Sequence, residues 1–196
     1  MRKLLLALVL VLVLLPATAW SMSGTTNYDF EGTYQTGDES GAAPGWYNFK
    51  LGDVAPVNSE ETGSVHNGAS AQKVDATGAD GGVKALFDQV APFKSYKITV
   101  WYKVTSGTAS IAVLPSAEEE AANVTGWKTL DAGPDWQSVT LTIVTRQAKI
   151  TIFLRNTGGI GYWDDISVVE YTPPTPFKIY EQQPFGGGAG NPQYIN

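Results

Sequence analysis

Two adjacent carboxylates, Asp164 and Asp165, interrupt an otherwise apolar alternating run that extends from Gly161 to Val169. Read as a strand, its period of two places Asp164, Ile166 and Val168 on one face and Trp163, Asp165 and Ser167 on the other. Neighbours on opposite faces cannot form the acid–base pair of a glycosidase, which must flank a single bond with its carboxyl groups about 5 to 9.5 Å apart. The parity instead predicts one carboxylate pointing where the core points. A charge there must be paired or bound to a metal, because an isolated buried carboxylate is too costly. Other familiar chemistries find no residues. His66 is the only His and sits in a turn beside Asn67-Gly68, which leaves no positioned imidazole for a nucleophilic triad. There is no Cys and no His cluster for zinc. Glu118-Glu119-Glu120 is most simply a solvated loop, and the Gly-rich runs near Gly158 and Gly186 lack the following helix and Lys of a phosphate cradle. Binding, rather than catalysis, is the chemistry these residues suggest.

The elements around these residues are short and alternating. From about Thr25 to Val169 the chain is punctuated by Gly and Pro and shows no convincing helical period, so it reads as all-β. Expected strands are Asn27 to Gly32, Trp46 to Leu51, Ser70 to Val74, Val83 to Val90, Tyr96 to Val104, Ala109 to Leu114, Trp136 to Val144, Lys149 to Arg155 and the closing run. Alternation is clearest in Tyr96 to Val104, where Tyr96, Ile98, Val100, Tyr102 and Val104 share one face. Ile150, Ile152 and Leu154 point inward on their strand, which turns Thr151, Phe153 and Arg155 outward. About eight strands without a βαβ rhythm argue for two packed antiparallel sheets, a jelly-roll sandwich.

The ends differ from this middle. Residues 1–19 have the form of a signal peptide: Arg2 and Lys3, then the apolar Leu4 to Leu15, then the small-x-small site Ala17-Thr18-Ala19. That apolar run is short for a bilayer span, so secretion is expected, with no membrane anchor after cleavage. Cleavage leaves 11 basic against 19 acidic residues, a net charge of about −8. Nucleic acid is an unsuited partner for such a chain, since phosphate backbones demand clustered basic surface. Residues 20–171 are expected to form the sandwich, and residues 172–196 a Pro- and Gly-rich tail. The tail carries Phe177, Ile179, Tyr180, Phe185, Tyr194 and Ile195 without a core of its own. It is either a frayed linker or a segment for self-association against a neighbour's sheet edge.

Four segments, in order and spacing, resemble secreted carbohydrate-binding modules of the family 4, 9 and 22 kind, whose fold is the galactose-binding-like jelly roll. They are Asn27-Tyr28-Asp29-Phe30-Glu31, His66-Asn67-Gly68-Ala69-Ser70-Ala71-Gln72-Lys73-Val74, Tyr96 to Val104, and Trp163-Asp164-Asp165-Ile166-Ser167-Val168. The resemblance implies a non-catalytic module that binds polysaccharide. It also implies a structural calcium held by the carboxylates of Glu31 and Asp164 and by backbone carbonyls in the turn at His66 and Ala69, an oxygen-only donor set of the kind calcium takes. The alternative is that Asp164 pairs with Lys73 or caps backbone amides. His66 stands where some relatives have Glu, one carboxylate fewer. Sugar binding in such modules relies on rings that stack on pyranose faces. Trp127 lies where relatives present a loop aromatic, and Phe153 and Arg155 have the outward parity. Phe87 joins them if Leu86 and Val90 point inward. Trp46 and Trp136 resemble structural positions, and Trp101 faces away from the core on the opposite sheet. The rival reading is an extracellular assembly protein that uses the sandwich as scaffold and the tail for contacts.

Overall fold

The computed structural model describes residues 28–118, 120–173, 178–179 and 193–194. The expected signal peptide, Asn27, Glu119 and most of the tail lie outside the described residues. Ten strands build the body: β1 Tyr47–Lys50, β2 Val57–Glu61, β3 Ala71–Asp75, β4 Asp80–Phe87, β5 Ser95–Val104, β6 Thr108–Leu114, β7 Lys128–Leu130, β8 Gly133–Val144, β9 Ile150–Thr157 and β10 Ile160–Glu170. They form two five-stranded sheets, ordered β1-β4-β9-β6-β7 and β2-β3-β10-β5-β8. All the pairings are antiparallel. The fold is an all-β jelly-roll sandwich.

The core between the sheets follows the alternation. Ile98, Val100, Tyr102 and Val104 of β5 face Ile150, Ile152 and Leu154 of β9, with Val83, Ala85 and Phe87 of β4 beside them. Trp46, Phe30 and Phe87 fill one end, the Phe30 and Trp46 rings lying 4.8 Å apart. Residues 28–32, expected as part of a first strand, are not in a strand. Residues 28–32 join β10 through a bond from the Ile166 N–H to the Tyr28 carbonyl at 2.6 Å. Of these ten strands, β2 and β7, both at sheet edges, are not among those expected from the sequence.

The closing strand departs from its expected parity. Between Asp164 and Ser167 the register with β5 shifts through a bulge, and Asp165 takes a positive φ of 42°. Before the bulge Trp163 points into the core; after it Ile166 and Val168 do. Asp164 therefore does not share the core face with Ile166. It pairs across with Trp101 on the outer side and is buried there by a neighbouring turn.

Trp163 donates its Nε1–H to Asn156 Oδ1 at 3.0 Å inside the core. Asn156 is itself buried, and its Nδ2 has no partner among the described residues. Trp163→Phe should leave that whole side-chain amide unpartnered as well as shrinking the packed ring. A loss of about 2–4 kcal/mol is expected in urea unfolding.

Candidate functional site

The outer face of the first sheet is the place where rings and charges meet. Register puts Thr151, Phe153 and Arg155 of β9 beside Gly82, Lys84 and Leu86 of β4 on one side, and beside Ser110, Ala112 and Leu114 of β6 on the other. Tyr47 and Phe49 of β1 share this face through Lys84 and Gly82. A connection from Pro115 to Trp127 folds over its lower end. There Thr151 Oγ1 donates to the Ser116 carbonyl and accepts from the Glu118 N–H. Ala121, on a single 3-10 turn from Ala121 to Asn123, and Val124 pack against Phe49, Ala112 and Phe153 as a second small core.

Trp127, half-buried, closes that small core and opens onto the rest of the face. Its ring stacks on Phe49 at 6.3 Å and 26°, meets Phe153 edge-on at 6.1 Å, and carries the Arg155 guanidinium 5.1 Å from its centroid. Arg155 is in turn held by Asp80, which accepts from both its Nε and its Nη2 and from Thr157 Oγ1. The hydrogen bond from Arg155 is the main reason the Asp80 carboxyl lies below its ordinary range. A fork used this way has little rotational freedom, so the guanidinium is fixed against the indole.

The expected sugar-contacting residues thus separate. Trp127, Phe153 and Arg155 come together. Phe153, however, is fully buried beneath Ala121 and Val124, so it supports Trp127 from below instead of offering a face of its own. Phe87 is not on this surface. It pairs with Ile150 and packs in the main core against Tyr28 and Trp46, because the inward residues of β4 are Val83, Ala85 and Phe87 rather than Leu86. Tyr47, Phe49, Lys84 and Asp80 belong to the face and were not singled out from sequence. Had parity been applied to the strand read at Trp46 to Leu51, a buried Trp46 would have turned Tyr47 and Phe49 outward together.

A second constellation lies at the bulge. Glu31 Oε1 accepts from the Ala69 and Ser70 N–H groups at 2.6 and 3.0 Å. Asp164 Oδ2 accepts from the His66 and Asn67 N–H groups at 2.8 and 3.3 Å, and its Oδ1 from the Asp165 N–H at 2.8 Å. The turn from His66 to Ser70 is thereby tied to both ends of the fold. Asp165, thrown outward by the bulge, meets His66 Nδ1 at 2.6 Å. The His66 ring lies flat on Trp101, centroids 3.8 Å apart, with Trp136 edge-on at 5.8 Å. Trp101, outward on the second sheet, is therefore covered by this turn.

The residues suit an oxygen-seeking cation in kind. Asp164 is fully buried and in no ion pair among the described residues. Burial is the first cause that lifts its carboxyl to about 6, against the three amide bonds. The Tyr34 hydroxyl nearby is buried without a partner among the described residues, and its pKa is raised by burial first and then by Glu60, Asp164 and Glu31. A carboxylate has about four acceptor positions, so three amide bonds leave one on Asp164. Among the described residues no three His, Cys, Asp or Glu side chains cluster as a metal cage. A cation at this turn would therefore depend on backbone carbonyls as well.

Gly68 is required by this geometry. Its φ is +73°, and a Cβ there would come within 2.2 Å of Glu31 Oε1. Gly68→Ala should expel the Glu31 carboxylate and break its bonds to the Ala69 and Ser70 amides. The expected loss is about 2–4 kcal/mol, read as a lower melting temperature.

No family model and no curated protein matches the chain. Solved structures do resemble it. The enzymatically active domain of tailspike protein 4 of bacteriophage CBA120 superimposes with a TM-score of 0.52 at 15% identity, over 64% of this chain and 19% of that one. The N-terminal CBM22-1-CBM22-2 tandem domain of Paenibacillus barcinonensis Xyn10C gives a TM-score of 0.50 at 13% identity, over 86% of this chain and 53% of the tandem. The chain thus spans about one fifth and about half of these two proteins. At such identities the likeness concerns fold alone, a jelly-roll β-sandwich.

Proposed function

We propose that this protein is a secreted, non-catalytic module that binds polysaccharide on the outer face of the first sheet. One observation carries the proposal: Trp127 is half-exposed yet immobilised, stacked on Phe49, braced by Phe153 and flanked by the Asp80-held Arg155. A ring so fixed loses little freedom when a pyranose stacks on it, and a guanidinium beside it reaches sugar hydroxyls. Phe153 contributes as the brace, with Tyr47 and Lys84 as further polar contacts on the same face. The fold shared with the CBM22-1-CBM22-2 tandem domain agrees with this reading. Affinity electrophoresis in gels cast with soluble xylan, β-glucan or galactan tests it. Retardation on at least one polysaccharide, lost in Trp127→Ala, is expected. Retardation unchanged by the substitution would remove Trp127 from the site.

The proposal includes a structural calcium on Glu31 and Asp164 with the carbonyls of His66 and Ala69. A wholly buried carboxylate with no cationic partner among the described residues supports it. Self-association through residues 172–196 is a separate element of the proposal, decided by size-exclusion chromatography with and without those residues.

A further inference from the structure

At one end of the sandwich three connections meet: 88–94 between β4 and β5, 115–127 between β6 and β7, and 145–149 between β8 and β9. Thr145, fully buried, ties the first to the third. Its N–H donates to the Lys94 carbonyl and its carbonyl accepts from the Phe93 N–H, at 2.9 and 2.8 Å. Its hydroxyl donates to the Ala91 carbonyl at 2.7 Å and accepts from the Lys94 N–H at 3.2 Å. The Arg146 N–H reaches the Pro115 carbonyl at 3.5 Å and brings in the second connection.

This clasp holds Phe93 at a φ of +59°, a conformation that an aromatic L-residue rarely adopts. Burial does not account for it, because Phe93 is 79% exposed. The strained backbone here coincides with an exposed ring, and such outliers are enriched where ligands bind. The ring borders an open cleft of about 900 Å³ lined by Phe93, Pro115, Ser116, Val144, Arg146 and Gln147, with Thr145 at its base. Among the described residues none that lines the cleft is acidic. Among the described residues Arg146 enters no ion pair, in a chain whose net charge is −6.

We propose that this cleft is a second ligand site, separate from the Trp127 face, and that it takes a uronic acid residue of an acidic polysaccharide. Phe93 offers a ring for the apolar C–H face of the sugar. Arg146 offers the planar fork that matches a carboxylate. Ser116 and Gln147 offer the few polar groups that orient hydroxyls.

Calorimetric titration of the full chain with tetragalacturonic acid and with its methyl ester tests the site, since esterification removes the charge and keeps the rings. The acid is expected to bind at least about tenfold more tightly than the ester, one charge-assisted contact being worth that much. Arg146→Gln should reduce the acid to the level of the ester. Phe93→Gly should weaken both at least about tenfold while raising the melting temperature, because Gly adopts the positive φ freely. Equal affinity for acid and ester, or undiminished acid binding in Arg146→Gln, overturns the proposal. So does undiminished binding in Phe93→Gly. The Trp127 reading fails separately: acid binding that needs Arg146, in a protein that retains no neutral polysaccharide, leaves this site standing without the other.

Discussion

Trp127→Ala should weaken polysaccharide binding by at least about thirtyfold, a loss typical of a ring that anchors a contact surface. Its ring is the exposed layer of a stack whose lower layers, Phe49 and Phe153, are buried. Removing the ring takes away the apolar platform. It also removes the surface against which the Arg155 guanidinium lies 5.1 Å from the ring centroid. The main core holds none of these atoms, so the variant should fold with its cooperative unfolding transition preserved. Trp101→Ala on the opposite sheet serves as the matched control, because it deletes the same side chain from a position covered by His66. Isothermal titration with the retained polysaccharide is expected to show the loss in the first variant and not in the second.

The second large effect concerns Asp164. Its carboxyl stands at about 6 in the folded protein against an ordinary 3.8, raised chiefly by burial. Between those two values the folded chain binds a proton that the unfolded chain has released. Stability therefore falls as pH rises from about 4 to about 6 and levels off above, by on the order of 2–3 kcal/mol. This slope is expected in urea unfolding carried out with chelator. Asp164→Asn should flatten it, since an amide oxygen still accepts from the turn and carries no proton in that range. Saturating calcium, held by the ionised carboxylate, should oppose the slope and raise the melting temperature at pH 7. Equal melting temperatures with calcium and with chelator would remove the ion from the proposal.

Much of the scaffold is legible from alternation alone. β5 and β9 carry their inward residues at every second position, and the structure buries those residues. Legibility fails where periodicity is interrupted or never established. β2 has one apolar residue, Val57, and β7 has three residues in all, so neither edge strand shows a pattern. The bulge in β10 adds a residue to the strand, and a strict period of two then carries Asp164 to the wrong side. The local sequence does not announce it; two carboxylates in succession, neither suited to a core, are its only mark.

The candidate face shows the same division. The outward parity of Phe153 and Arg155 is correct, yet parity says nothing about a loop that folds back. Ala121 and Val124, apolar residues just beyond an acidic run, are the signal that the connection would cover Phe153. Phe87 was undecidable until its pairing with Ile150 set the register of β4. The Arg155–Asp80 fork joins residues 75 positions apart and follows only from that register.

A glycan array probed with the wild-type chain and with Trp127→Ala tests the central claim most directly. Binding of the wild type to one class of polysaccharide, absent from the variant, is the predicted result. An array on which the wild type retains no glycan, or on which the variant retains the same glycans at the same strength, would contradict it.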